Sequence, residues 1–233
     1  MRNDERFIVA FNKIEKFFDQ QLNDSRYVPF YRAVQRLRKT NAVINRYHND
    51  LLEFSELRNA IVHERTDHHY TIADPHDDIV ASIEKIANEL TAPKSVMKLF
   101  AKTLRTVQAD LSVKEVLTII KETEFSQFPV YRSKQFLGLL TDKAILHWIA
   151  HHMNGDVEVL LGTKVIKLID DDAIYDTNYR FIEREMSIYQ AEDIFINAIK
   201  KHKRLDALLI TETGEPHERL LGMITPNDLI HIP

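Results

Sequence analysis

Ala207-Leu208-Leu209-Ile210-Thr211-Glu212-Thr213-Gly214-Glu215-Pro216-His217-Glu218-Arg219-Leu220-Leu221-Gly222-Met223-Ile224-Thr225-Pro226-Asn227-Asp228 decides the fold. Two apolar runs, Leu208–Ile210 and Leu220–Ile224, flank the polar turn Thr211–Glu218, the pattern of paired strands. Thr225-Pro226-Asn227-Asp228 then opens a helix, with Thr as N-cap, Pro in the first turn and Asp in the third position. The same order stands earlier in the chain, as Phe128-Pro129-Val130-Tyr131 followed by Gly138-Leu139-Leu140-Thr141. Upstream of each pair lies a capping-box pattern, Ser112-Val113-Lys114-Glu115 in one and Ser187-Ile188-Tyr189-Gln190 in the other. Val107 and Ile182 precede them in short extended pieces. Each repeat therefore predicts strand, helix, two strands and a second helix, and an internal repeat governs the reading of the whole segment. Two like units that each end in Gly-x-x-Thr imply a paired ligand-binding module rather than a one-site enzyme. Gly155–Tyr179, with its acidic run Asp170-Asp171-Asp172, reads as an irregular solvated linker between them.

The first part of the chain has a different rhythm. Phe7, Ile8, Phe11, Ile14, Phe18 and Leu22 fall at helical spacing over residues 4–22. Pro29 suits a first helical position, ahead of Phe30, Ala33, Val34 and Leu37. Leu51, Leu52, Phe54, Leu57 and Ile61 predict a third helix, and Ile79, Ile83, Ile86 and Leu90 a fourth. Tyr70–Ala73 reads as a short extended piece. Ala92-Pro93-Lys94-Ser95 is the clearest boundary. The expected organisation is α+β: an all-α bundle over 1–92, then repeat units over 93–154 and 155–233.

The chain has 233 residues, of which 44% are hydrophobic and 28% charged, the balance of a soluble globular protein able to bury a core. The absence of cysteine excludes disulfides, thiolate metal sites and a cysteine nucleophile, and suits a reducing compartment. No signal-peptide pattern opens the chain and no apolar run approaches the roughly 20 residues of a membrane span. These features predict a cytoplasmic protein without a membrane partner. The net charge of −4 gives no global attraction to nucleic acid. Arg26, Arg32, Arg36, Arg38, Lys39 and Arg46 nonetheless fall in a stretch without acidic residues, interleaved with Tyr27, Phe30, Tyr31 and Tyr47. That stretch is either a solvated helix face or a track for RNA phosphates.

The end of each repeat carries two readings. Thr225 and Asp228 form a helix cap, or else free N–H groups and the helix dipole bind a phosphate while the carboxylate holds ribose hydroxyls. Here the pattern resembles the CBS domain over residues 95–233, on Phe128-Pro129-Val130, Gly138-Leu139-Leu140-Thr141, Ala207–Ile210 and Gly222–Asp228. The resemblance implies two βαββα units packed as a pseudo-twofold pair (a Bateman module), with clefts for adenosine-type ligands. AMP, ADP, ATP, S-adenosylmethionine and cyclic di-AMP are the expected candidates, and a homodimer the expected assembly. It also implies that Thr225 touches phosphate or ribose and that Asp228 holds the ribose. The first unit departs from the pattern: Thr141-Asp142-Lys143-Ala144 places Ala144 where the carboxylate belongs. Its cleft is either empty or uses Thr141 and Lys143 on a phosphate.

In the helical part, Leu57-Arg58-Asn59-Ala60-Ile61-Val62-His63 is the densest polar cluster. Asn59 and His63 share a helix face, and Arg58 can curl toward them. Arginine and histidine together suit phosphodiester cleavage, one stabilising charge and the other moving protons. The cluster resembles the HEPN superfamily, which implies a metal-independent ribonuclease site of Arg58, Asn59 and His63; the plain alternative is helix packing or a partner surface. His63, Asp67, His68 and His69 could ligate a metal, but they sit at a helix end where polar residues are common, and no metal is expected. His147, His151 and His152 read as surface residues. Five glycines leave no P-loop or dinucleotide fingerprint. The expected function is a regulatory sensor whose nucleotide pair modulates the helical domain. The alternatives are a nucleotide-controlled ribonuclease and a dimerisation module with degenerate clefts.

Overall fold

The computed structural model describes residues 1–24, 26–63, 73–153, 155–170 and 178–231, the side chains of His63, Ile230 and His231 excepted. Helix α1, Asn3–Leu22, buries Phe7, Phe11, Ile14 and Phe18 of the predicted stripe with Ala10 beside them, while Ile8 and Leu22 are only partly buried. Asn23, in the left-handed conformation at φ 42°, ends it, a geometry asparagine tolerates. Helix α2, Phe30–Leu37, begins one residue after Pro29, which stands as its N-cap rather than its first residue. A short α3, Ala42–Arg46, was not expected from the sequence; Asn41 caps it by accepting from Ile44 N–H at 3.1 Å. Helices α4, His48–His63, and α5, Asp77–Thr91, complete the bundle. Phe11 stacks on Phe30 at 4.5 Å and Phe7 meets Phe54 edge-on at 5.7 Å, so aromatic packing joins α1 to α2 and α4. Tyr70, Thr71 and Ile72 lie outside the described residues, and Ala73 is irregular.

The chain divides into two compact units: Met1–Lys94 with Ser187–Asp193, and Ser95–Met186 with Ile194–Pro233. The second unit contains α6, Val96–Phe100, β1, Val107–Gln108, α7, Val113–Thr123, β2, Gln127–Arg132, β3, Gln135–Thr141, and α8, Asp142–His152. Then follow α9, Val157–Gly162, α10, Val165–Ile169, β4, Tyr179–Glu183, α11, Ile188–Lys200, β5, Ala207–Thr211, and β6, Gly222–Ile224. Ile188–Asp193 of α11 belongs to the first unit and Ile194–Lys200 to the second. A 3-10 helix, Pro226–His231, follows β6. Each repeat forms its own sheet in the order β1-β2-β3 or β4-β5-β6, the first pair parallel and the second antiparallel. The architecture is α+β, a helical region followed by two strand–helix–strand–strand–helix repeats.

Both predicted capping boxes form. Ser112 Oγ accepts from Glu115 N–H at 3.3 Å while the Glu115 carboxylate takes Ser112 N–H at 2.7 Å. Ser187 and Gln190 repeat the device at 3.2 and 3.0 Å. The two sheets face one another through Leu139, Ala207, Leu209 and Met223, with Phe136 edge-on to Tyr179 and Phe181 at 5.3 Å.

Two expectations are corrected. Residues 155–170 are not irregular: α9 and α10 bury Leu160, Val165, Leu168 and Ile169 in the core of the first repeat. Backbone bonds from Val113 to Thr163 at 2.9 Å and from Val165 to Leu111 at 2.8 Å tie them there. The apolar residues have helical spacing, but over runs too brief for a period to show. Asp171 and Asp172 lie outside the described residues. The helix after Thr225 is 3-10 rather than α, consistent with the three-residue bond from Asp228 N–H to Thr225 carbonyl at 3.0 Å.

Candidate functional site

Thr225 and Asp228 meet directly. Thr225 N–H donates to Asp228 Oδ2 at 2.7 Å and the Thr225 hydroxyl to the same oxygen at 2.8 Å. The other oxygen, Oδ1, lies 3.9 Å from Lys102 Nζ. Lys102 is placed by pairing at a distance: Ala101 forms an antiparallel bridge with Gly222. A Cβ at Gly222 would collide with the Phe100 carbonyl, so glycine permits this close approach.

From Lys102 opens a cavity of about 810 Å³, lined also by Thr103, Thr106, Tyr131, Ser133, Lys134 and Arg219. Glu218, on its wall, accepts from Thr213 N–H at 2.7 Å and from the Thr213 hydroxyl at 2.9 Å. Those bonds, the backbone one foremost, hold its carboxyl below the usual carboxylate range. Glu218 therefore stays ionised, and Lys102, Lys134 and Arg219 outnumber it, so the wall is net cationic and suited to an anionic ligand. Tyr131 offers an aromatic face, and burial pushes its phenol up, so it is a neutral donor. Thr225 and Asp228 do not themselves line this cavity; Asp228 adjoins it through Lys102. Lys134 and Arg219 each put a cation on a strand-connecting turn, but nothing in the sequence brings them together with Lys102 and Tyr131, because that convergence depends on long-range pairing.

In the first repeat Thr141 caps α8, accepting from Ala144 N–H at 3.0 Å. Its hydroxyl also accepts from Arg204 Nη2 at 3.2 Å. Lys143 is exposed, its backbone N–H bound to Asp142 Oδ1 at 2.6 Å.

In the helical unit Arg58 Nη1 donates to Asn59 Oδ1 at 3.4 Å, and the guanidinium lies 6.0 Å from the centre of the Phe11 ring. Both residues line a cavity of about 210 Å³ with Glu15, Tyr27, Phe30 and Tyr31. His63 ends α4, and its side chain lies outside the described residues; among the described side chains Arg58 and Asn59 stand together. The basic stretch is partly neutralised: Arg36 pairs with Asp24 at 3.1 Å and Arg46 with Glu192 at 3.0 Å. Asp67, His68 and His69 lie outside the described residues. His147 and His151 are exposed, and His152 stacks on Trp148 at 4.6 Å. Among the described residues no cluster of three or more His, Asp or Glu could hold a metal ion, and no helix is long and apolar enough to cross a membrane.

A search of curated proteins found no match to the chain. Among solved structures, the CBS domain pair of protein MJ0100 in complex with 5′-methylthioadenosine and S-adenosyl-L-methionine is similar at 15% identity, with a TM-score of 0.44 over 60% of this chain and 94% of that one. A CBS-domain-containing protein from Agrobacterium tumefaciens is 17% identical, with a TM-score of 0.42 over 56% of this chain and 84% of its own. A hexameric CBS-CP12 protein from bloom-forming cyanobacteria is 14% identical, with a TM-score of 0.44 over 60% of this chain and 67% of its own. Residues 96–151, the first repeat with α6 ahead of it, match the family model described as CBS domain.

Proposed function

We propose that the second unit binds an adenosine-type nucleotide beside Asp228 and that this binding modulates the helical unit, making the protein a nucleotide-responsive regulator. The observation that carries the reading is the cavity of about 810 Å³ whose cationic wall reaches Asp228 through Lys102. Phosphate would lie among Lys102, Lys134 and Arg219. The Asp228 carboxylate would exchange its cap donors for ribose hydroxyls, with Thr225 at the same end. The CBS-domain match over residues 96–151 supports the class of module. Modulation requires that the nucleotide prefer one of two states of the protein. A cysteine-free chain suits the reducing cytoplasm, and a homodimer is the proposed assembly.

The test is a thermal-shift screen over AMP, ADP, ATP, S-adenosylmethionine and cyclic di-AMP, followed by calorimetry. A ligand that binds the folded state raises its stability. We expect one or more of these to do so, and Asp228→Ala to lose binding. Unchanged affinity in Asp228→Ala sinks the site. No shift with any ligand favours instead a dimerisation module with degenerate clefts.

A second reading is a metal-independent ribonuclease using Arg58, Asn59 and His63. One observation favours it: Arg58 and Asn59 share their cavity with Tyr27 and Tyr31, whose faces could stack unpaired bases. Cleavage of single-stranded RNA in EDTA, lost in His63→Ala, is the expected result. Absence of cleavage with and without nucleotide removes it.

A further inference from the structure

The two repeats end alike in sequence but not in their bonds. In the second, the Thr225 hydroxyl donates a hydrogen bond to Asp228 Oδ2. In the first, position 144 is alanine and the Thr141 hydroxyl receives donors from Ala144 N–H and Arg204 Nη2. A threonine hydroxyl has two acceptor lone pairs, and these two donors use both. Thr141 is also only 2% exposed. Arg204 is held firmly in turn: Nε donates to Asp206 Oδ2 at 2.8 Å and Nη2 lies 2.6 Å from the same oxygen. That oxygen also accepts from the amide of Asn178, a residue 3% exposed whose carbonyl takes Asp206 N–H at 2.6 Å. Asn178 precedes β4, and Arg204 and Asp206 precede β5. The network thus stands on adjacent strands of the second repeat and reaches the end of β3 in the first.

We propose that Arg204 is a built-in plug that closes the first repeat's site and limits the chain to one nucleotide. The proposal rests on the nucleotide reading of the second repeat for its stoichiometry. A ligand hydroxyl donating to Thr141 would need the lone pair that Arg204 Nη2 occupies. Moving Arg204 away would strip Asp206, partly buried and fixed by Asn178, of its cation, which is costly. Ala144 offers no carboxylate to hold a diol in exchange. The Arg204–Asp206 pair is electrically balanced, so it retains no charge to draw a phosphate in. Arg204 therefore supplies internally the donor that a ligand hydroxyl would otherwise bring.

The experiment is calorimetry of the full chain with AMP and with ATP. The wild type should take up one equivalent per chain, all of it lost in Asp228→Ala. The double variant Arg204→Ala/Ala144→Asp should gain a second equivalent. Two equivalents in the wild type, one equivalent persisting in Asp228→Ala, or a folded double variant that still binds one would each overturn the plug. If the wild type binds neither nucleotide, the proposed function fails for these ligands while the plug stays testable. If the double variant does not fold, the proposed function is untouched and the plug is decided by stability measurements instead. A double-mutant cycle of Thr141→Val and Arg204→Ala in urea unfolding should show a coupling of roughly fivefold in the unfolding constant. Additive effects in that cycle overturn the bond on which the plug rests.

Discussion

Thr225 and Asp228 are joined twice through one atom: Asp228 Oδ2 accepts both the backbone N–H and the hydroxyl of Thr225, at 2.7 and 2.8 Å. The direction is the reverse of the usual cap, in which the N-cap side chain accepts. Asp228 therefore holds the end of β6 to the 3-10 helix before any ligand arrives. Thr225→Val removes one bond and Asp228→Ala removes both. Stability should fall by roughly 0.5–1 kcal/mol in the first and about twice that in the second, a pair of ordinary net hydrogen-bond contributions. Urea unfolding without nucleotide reads the order, and equal stabilities for the two variants would falsify the shared-oxygen cap.

The two capping boxes form an internal pH experiment. Glu115 accepts from Ser112 N–H and from the Ser112 hydroxyl, each at 2.7 Å, and the backbone bond foremost holds its carboxyl below the ordinary carboxylate range. A depressed folded-state value means the box's contribution is present above the unfolded carboxylate range and is lost as pH falls through the folded value. Gln190 makes the equivalent bonds to Ser187 at 3.0 Å without a titrating group. Glu115→Gln should therefore flatten part of the acid limb of the urea midpoint, and Gln190→Glu should steepen it. An acid limb identical in all three proteins would contradict this.

What could be read from the chain was what is local. Ser112–Glu115, Ser187–Gln190 and Thr225–Asp228 each lie within a single turn, so residue type and spacing expose them. The α1 stripe from Phe7 to Phe18 is equally plain, because a 20-residue helix repeats its period several times. Helices α3, α9 and α10, of five or six residues, repeat it hardly once. Lys102 and Arg204 were missed for a different reason. Lys102 faces Asp228 because Ala101 pairs with Gly222, and Arg204 reaches Thr141 because Asp206 is tied to Asn178. Nothing in the residues around either position encodes those long-range pairings.

Gly222 tests the pairing that positions Lys102. A methyl group there would run into the Phe100 carbonyl, a backbone atom that cannot swing aside as a flexible side chain does. Gly222→Ala should push residues 100–102 off β6, costing about 1–3 kcal/mol as overpacking does. It should also weaken nucleotide binding, since Lys102 follows the bridged Ala101 and moves with it. Gly162→Ala is the control, because nothing lies within 4 Å of a Cβ placed there. Comparable unfolding midpoints for the two variants would show that the close approach is not constrained.

Glu15 separates a packing role of Arg58 from a catalytic one. Burial pushes the Glu15 carboxyl up, and Arg58 opposes that rise through its charge. A raised folded-state value means the contribution to stability is fully present below the unfolded value and is lost as pH rises through the folded one. At neutral pH the ionised Glu15 is therefore a liability that Arg58 partly offsets. Glu15→Gln should raise the urea midpoint at neutral pH and leave it nearly unchanged at about pH 3, where both states are protonated. Arg58→Met should lower the neutral-pH midpoint, and the loss should shrink in the Glu15→Gln background because the charge Arg58 compensates is gone. If Arg58→Met costs the same stability with Glu15 present or replaced, the guanidinium is not in the bundle to balance that carboxylate, and the Phe11 ring and the Asn59 side chain remain as its structural partners.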